Sequence, residues 1–161
     1  MTDHESRLDQ ELQATLRTQR LACLGTLAED GSPFVTMVQY ALEPVTGRLV
    51  LHLSAQTPSV THMNRDGRVS LLVLAPEGVP GDEASRPRIT LQGRAVFPDI
   101  AGDDWQVCRA AYLQRFPEHE PMTQMLDLAF VAISIGQARQ VSGYGAARGL
   151  AGESVVPLLV G

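Results

Sequence analysis

The alternation of apolar and polar positions divides this chain into short elements. Leu8, Leu12 and Leu16 recur at helical spacing behind Thr2-Asp3-His4-Glu5, which has the form of a capping box. The spacing predicts a helix over residues 3–19 that lays one narrow stripe against the rest of the protein. Apolar runs at 21–28 and 33–42 flank Glu29-Asp30-Gly31-Ser32 and predict a hairpin, with Gly31 supplying the positive φ. After the turn Glu43-Pro44-Val45-Thr46-Gly47 comes a third strand at 48–53, and Asp66-Gly67 leads into a fourth at 68–75. A Pro, Gly and acid-rich loop over 76–87 precedes a fifth strand at 88–97, in which Gly93 marks a bulge or bend.

Trp105, Cys108, Tyr112 and Phe116 form a stripe on a second long helix that starts within 98–104, and a short helix runs on through Met125. Apolar runs at 128–135 and 137–144 then predict a last hairpin around Gly136. No element is assigned to the tail, 146–161. Six or seven strands joined by hairpin loops, with helices only at intervals, do not form a βαβ series. They predict a mostly antiparallel sheet or small barrel with helices outside, in one domain spanning 1–161.

The stretch from Gly47 to Leu74 departs from that simple alternation. Thirteen mostly polar residues, Ser54 to Asp66, separate two apolar strands, more than a hairpin requires. They predict a short helix from Thr57 to Arg65. Hydroxyls at Ser54, Thr57, Ser59 and Thr61 would gather at its start, where free N–H groups and the helix dipole favour an anion. Ordinary N-capping would use only one of them, so an anion site and a plain cap both remain open. Arg65 and Arg88 are the candidate cations.

Composition narrows the function. The 161 residues are 44% hydrophobic and 19% charged, with a net charge of −5, which fits a folded globular chain and argues against a nucleic-acid partner. All thirteen cations are Arg, which excludes a Schiff-base lysine. Cys23 and Cys108 are expected to be buried, reduced thiols, and with no signal-peptide core or membrane-length apolar run the expected location is the cytoplasm. Nucleotide-loop, zincin, CxxC and Gly-x-Ser-x-Gly signatures are absent. His52 and His62, ten residues apart, could approach each other as a metal pair, but ordinary structural roles are the stronger reading and no metal is expected. No side chain stands out as a catalytic acid or base.

PFVTMVQYALEPVTGRLVLHLS, NRDGRVSLLVLAP and RPRITLQGRA, taken in order, resemble the flavin split-barrel superfamily of pyridoxamine 5′-phosphate oxidase. The continuation YLQRFPEHEPMTQMLDLAFVAISIGQARQVSGYGAARGL is similar to its haem-utilisation (HugZ-like) branch. The resemblance covers about residues 15–150. It implies a six-stranded antiparallel split β-barrel with flanking helices and a homodimer with flavin mononucleotide (FMN) sites at the subunit interface. It also implies oxidoreductase chemistry on a small-molecule substrate, with no membrane or nucleic-acid partner.

The resemblance further implies that Thr36, Met37, Val38 and Gln39 line the isoalloxazine, largely through main-chain groups. Ser54, Thr57, Ser59, Thr61 and His62 would hold the phosphate and ribityl chain. Arg88 and Gln92 would reach the cofactor from the same or the partner subunit, and Tyr144 would close one side. Family members often carry Arg at the start of the phosphate helix, where this chain has Pro58-Ser59, and the haem proteins carry a C-terminal His, whereas no His follows His119 here. A haem- or other ligand-binding module on the same fold is the alternative.

Overall fold

The computed structural model describes residues 2–78, 81–143 and 146–161. Helix α1 (Asp3–Thr18) precedes strands β1 (Leu21–Leu27), β2 (Pro33–Gln39), β3 (Ala41–Glu43) and β4 (Arg48–Ser54). Helix α2 (Pro58–Arg65), β5 (Arg68–Leu74), β6 (Arg88–Val96) and α3 (Asp103–Arg115) follow. The chain closes with β7 (Leu128–Val141), β8 (Ala147–Ala151) and α4 (Gly152–Leu159), with 3₁₀ turns at Glu83–Ser85 and Pro117–Gln124.

Local chemistry accounts for α1. The Glu5 N–H donates to Thr2 Oγ1 at 3.1 Å and the Thr2 N–H donates to the Glu5 carboxylate at 3.0 Å, closing the capping box. Leu8, Leu12 and Leu16 are buried, as the stripe predicts. At the other end Arg115 donates to the Gln19 carbonyl at 2.7 Å, which occupies a carbonyl left over where the helix stops.

The strands pair antiparallel in the order β2-β1-β5-β6-β7-β4-β3, with β8 beside β7. β2 and β3 stand at opposite ends of that path, yet only Tyr40 separates them in the chain. The sheet must therefore curl until its ends meet, and this closure makes the barrel. β7 produces the split: its first half pairs with β4, its second half with β8, and β6 runs along both.

This is the expected split barrel, α+β and mostly β, with eight strands in the sheet. Two expectations change. The strand expected over 33–42 breaks at Tyr40, whose fully buried ring sends its hydroxyl to the Leu16 carbonyl at 2.8 Å. Gly136 does not turn the chain: its φ is not positive, and β7 runs straight through it for 14 residues. A Cβ there would meet only the Gln92 carbonyl oxygen, at 3.7 Å, whereas the start of α4 packs on the same stretch through Gly152. A Cβ on Gly152 would lie 2.6 Å from the Ile135 carbonyl oxygen. Opposite the same stretch, β6 carries the bulge predicted at Gly93.

Two apolar cores result. Leu24, Leu51, Leu71, Leu91 and Ile133 fill the barrel, joined by Leu12 and Leu16 of α1 and Leu159 of α4. The stripe of α3 packs outside, with Cys108, Tyr112 and Phe116 on Val50, Phe130 and Ala132 of β4 and β7. Glu43, fully buried at the β3–β4 turn, accepts from the Val45 N–H at 2.6 Å and from Arg48 Nε at 3.3 Å. Arg48 also grips Asp104 at 2.6 and 3.0 Å, which ties α3 to the sheet. Cys108 is buried as expected. Cys23 is exposed, because its place on β1 puts it on the outer face.

Candidate functional site

The register of the sheet divides the predicted cofactor residues. One row runs Met37–Cys23–Leu72–Thr90–Arg139–Gly149 across β2, β1, β5, β6, β7 and β8. The next row runs Val35–Gly25–Ser70–Gln92–Gln137–Ala151. Directly paired residues share a face, and residues two apart on a strand share it too. Met37, Gln39, Arg88 and Gln92 therefore stand on one outer face. Thr36 and Val38 do not, for Thr36 pairs with the fully buried Leu24 and Val38 is 4% exposed. On this outer face they present backbone rather than side chain.

At the β2 end this outer face is apolar: Val35 and Met37 are both 66% exposed and Leu21 is 47% exposed. Toward β7 and β8 it becomes polar. Thr90, Gln92, Gln137 and Arg139 stand over a floor of Gly136 and Gly149, lining a cavity of about 450 Å³. The Gln137 side-chain amide donates to that of Gln92. Gln137 and Arg139 were missed from sequence because the expected hairpin at Gly136 gave no reason to pair them with the fifth strand. Their signal was the short alternation Gln137-Ala138-Arg139, which Gln140 then breaks. Arg88 sends one nitrogen to the carbonyls of Ala84 and Arg86, each at 3.1 Å, so part of its donor capacity holds the preceding loop. Tyr144 lies outside the described residues.

The second group gathers at α2, at one end of the barrel. Thr57 is its N-cap, but the Thr57 hydroxyl turns back to the Ser54 carbonyl at 2.9 Å and caps nothing. Ser59 is 2% exposed, Ser54 is half-buried and Thr61 is exposed. His62 Nδ1 lies 2.9 Å from Thr26 Oγ1 of β1, and Phe34 meets the ring edge-on at 5.4 Å. Arg65 donates to the Leu27 and Ala28 carbonyls and so holds the β1–β2 hairpin. Among the described residues no hydrogen bond links the α2 hydroxyls to the outer-face group.

These contacts test the two ends of a flavin. The outer face carries apolar side chains at its β2 end and amides and an arginine at β7, four strands along the sheet. The start of α2 does not fit a phosphate, since neither of its two basic residues lies there.

His52 and His62 do not form a metal pair. His52 stacks on Phe130 at 4.3 Å, beside Tyr112 of α3, while His62 serves β1 on the other side. Burial pushes the His52 imidazole down to about 4, with the neighbouring His119 adding to the effect, so the ring is neutral near pH 7. Burial also pushes Tyr112 up to about 12, and its hydroxyl lies 3.2 Å from His119 Nδ1. Among the described residues no three metal-ligating side chains converge. A larger hollow of about 760 Å³ beside α1 collects Glu11, Glu77, Asp82 and Glu83 and, among the described residues, none of the predicted site residues.

Comparison with known proteins agrees with this fold. The family model of pyridoxamine 5′-phosphate oxidase matches residues 8–142. A haem-binding protein from Mycobacterium smegmatis superposes with a TM-score of 0.83 at 26% identity, over 93% of this chain and 60% of that one. This chain thus spans less than two thirds of that protein's length. HutZ, the haem storage protein from Vibrio cholerae, superposes at 0.69 with 18% identity, over 78% of this chain and 88% of its own. A FAD-binding protein from Mesorhizobium loti superposes at 0.64 with 18% identity, over 88% and 94%. The latter two likenesses concern the fold alone. No curated protein matches the sequence.

Proposed function

The chain belongs to the pyridoxamine 5′-phosphate oxidase family, and from that premise we propose that it is a flavin-binding oxidoreductase acting on a small molecule. The observation that carries this reading is the outer sheet face, where the register sets Met37, Gln39, Arg88 and Gln92 on one side of the sheet. A bound flavin supplies hydride or electron transfer, and the protein supplies position and electrostatics. Met37 and Leu72 give apolar contact to a ring. The Gln92 and Gln137 amides both donate and accept, so they can meet its polar edge. Arg139 adds a positive charge beside them, which favours an anionic substrate or a reduced, anionic ring.

The molecule works as a homodimer in this reading. Val35, Met37 and Leu21 form an apolar strip on an exposed sheet face, and a second copy laid over it would remove the strip from water and close the ring site. Among the described residues no helix is long and apolar enough to cross a membrane.

The test is the absorption spectrum of protein purified without added cofactor, followed by flavin release on denaturation. A flavin spectrum supports the reading. A colourless protein whose melting temperature neither riboflavin nor FMN raises would refute it. A second reading, a haem-binding module, is favoured by the likeness to the haem-binding protein of M. smegmatis. Titration with haem distinguishes the two, because a Soret band at one equivalent per chain, with no flavin retained, would select haem.

A further inference from the structure

We infer that this chain does not read a terminal phosphate at α2, and that its site selects a planar ligand by the ring rather than by a phosphate tail. The inference rests on the flavin reading above and deepens it. A phosphate at a helix start is held by free backbone N–H groups, by hydroxyls and by a cation. Each of the three can be followed here, atom by atom.

The N–H groups are nearly used up. The Thr57 N–H donates to the Ser54 carbonyl at 3.1 Å, and those of Val60 and Thr61 both go to the Thr57 carbonyl, at 3.2 and 3.4 Å. Pro58, the first helical residue, has no N–H to offer. Among the described residues that leaves the Ser59 N–H. The hydroxyls are little better placed. That of Thr57 is committed to the Ser54 carbonyl and Ser59 is 2% exposed, which leaves Ser54 and Thr61.

The cations are at the wrong end. His62 and Arg65 both lie in the last turn, where the negative end of the dipole suits them and where each already has a partner in β1 or the hairpin after it. A phosphate dianion placed at Pro58 would give up its hydration for one N–H and two hydroxyls, with no cation from α2 at that end of the helix. Desolvating an ion without compensation is unfavourable, so the phosphate remains in solvent and adds little to binding.

The experiment uses the full chain and two probes. Riboflavin and FMN are titrated separately by fluorescence quenching at low and high salt. The expected result is that their affinities agree within about threefold, with neither responding to salt, and FMN binding tenfold or more tightly than riboflavin would overturn the inference. Pro58→Arg restores an N–H and adds a cation at the exposed first position. It should improve FMN about tenfold and leave riboflavin unchanged.

In parallel, melting temperature is followed with inorganic phosphate against sodium chloride of matched ionic strength. No difference in wild type, with a gain in Pro58→Arg, supports the inference. A phosphate-specific rise in wild type that Thr61→Val abolishes would overturn it, whether or not a flavin binds. Failure of both flavins to bind refutes the flavin reading alone, and the phosphate comparison then decides this one.

Discussion

Acidification should weaken this protein through His52, and the structure gives the size of the effect. The ring stacks on Phe130 beneath α3, where burial pushes its pKa from 6.5 down to about 4. In the unfolded chain the same imidazole titrates at its ordinary value. Between those two pH values the unfolded state binds a proton that the native state refuses. Stability is therefore full above about pH 6.5 and falls as pH drops toward 4.

At full strength that gap corresponds to about 3.4 kcal/mol. The ring is half-buried, so solvent screening reduces this to roughly 2 kcal/mol, of which about 1 kcal/mol is lost by pH 5. The carboxylates that meet Arg48 do not confuse the window. Asp104 is held low by Arg48, and at Glu43 the hydrogen bonds from Thr46, Val45 and Arg48 outweigh the upward effect of burial. Their contributions disappear only at lower pH. The assay is urea unfolding at pH 7 and pH 5 for wild type and His52→Phe, which keeps an aromatic ring on Phe130 and removes the titration. Wild type should lose about 1 kcal/mol more than the variant. Equal losses in the two proteins would refute the reasoning.

Three further outcomes follow from the geometry. Gly93→Ala should cost about 3 kcal/mol or prevent folding, because the new methyl would overlap the Ser134 carbonyl oxygen across the β6–β7 bulge, and chemical unfolding reads the loss. Tyr40→Phe should cost about 1 kcal/mol in the same assay. It removes only the hydroxyl bonded to the Leu16 carbonyl, and that carbonyl also lies 3.4 Å from Arg115. Met37→Asp places a charge in the middle of the exposed apolar strip, so light scattering should report halved mass with an unchanged far-ultraviolet spectrum. A wild-type chain that is already monomeric would remove the dimer from the proposal.

Much of the fold was legible because its signals are local. The capping box at Thr2 and Glu5, the Leu8–Leu12–Leu16 stripe and the Asp30-Gly31 turn each depend on residues within a few positions of one another. The site was legible in part. The hydroxyl-rich stretch after β4 does form a helix with Thr57 at its cap, and Arg88 and Gln92 do share a face. The misread elements are those in which one residue type serves two purposes. Gly136 could turn a hairpin or lie within a strand, and only the pairing of β7 with β6 on both sides of it decides between them. Cys23 reads as a core thiol until its strand is placed.

By itself the sequence determined the place of most elements, the antiparallel class and the short hydroxyl-bearing helix after β4. These follow from backbone and side-chain preferences acting over one or two turns of chain. The tertiary structure alone decided which side of each strand is outside. β2 is apolar on both faces, with Val35 and Met37 outward and Phe34 and Val38 paired inward, so its alternation carries no sign. That sign comes from barrel closure through Tyr40 and from pairing between strands far apart in the chain. A one-residue slip in that pairing would exchange the core for the face on which a ligand is to sit.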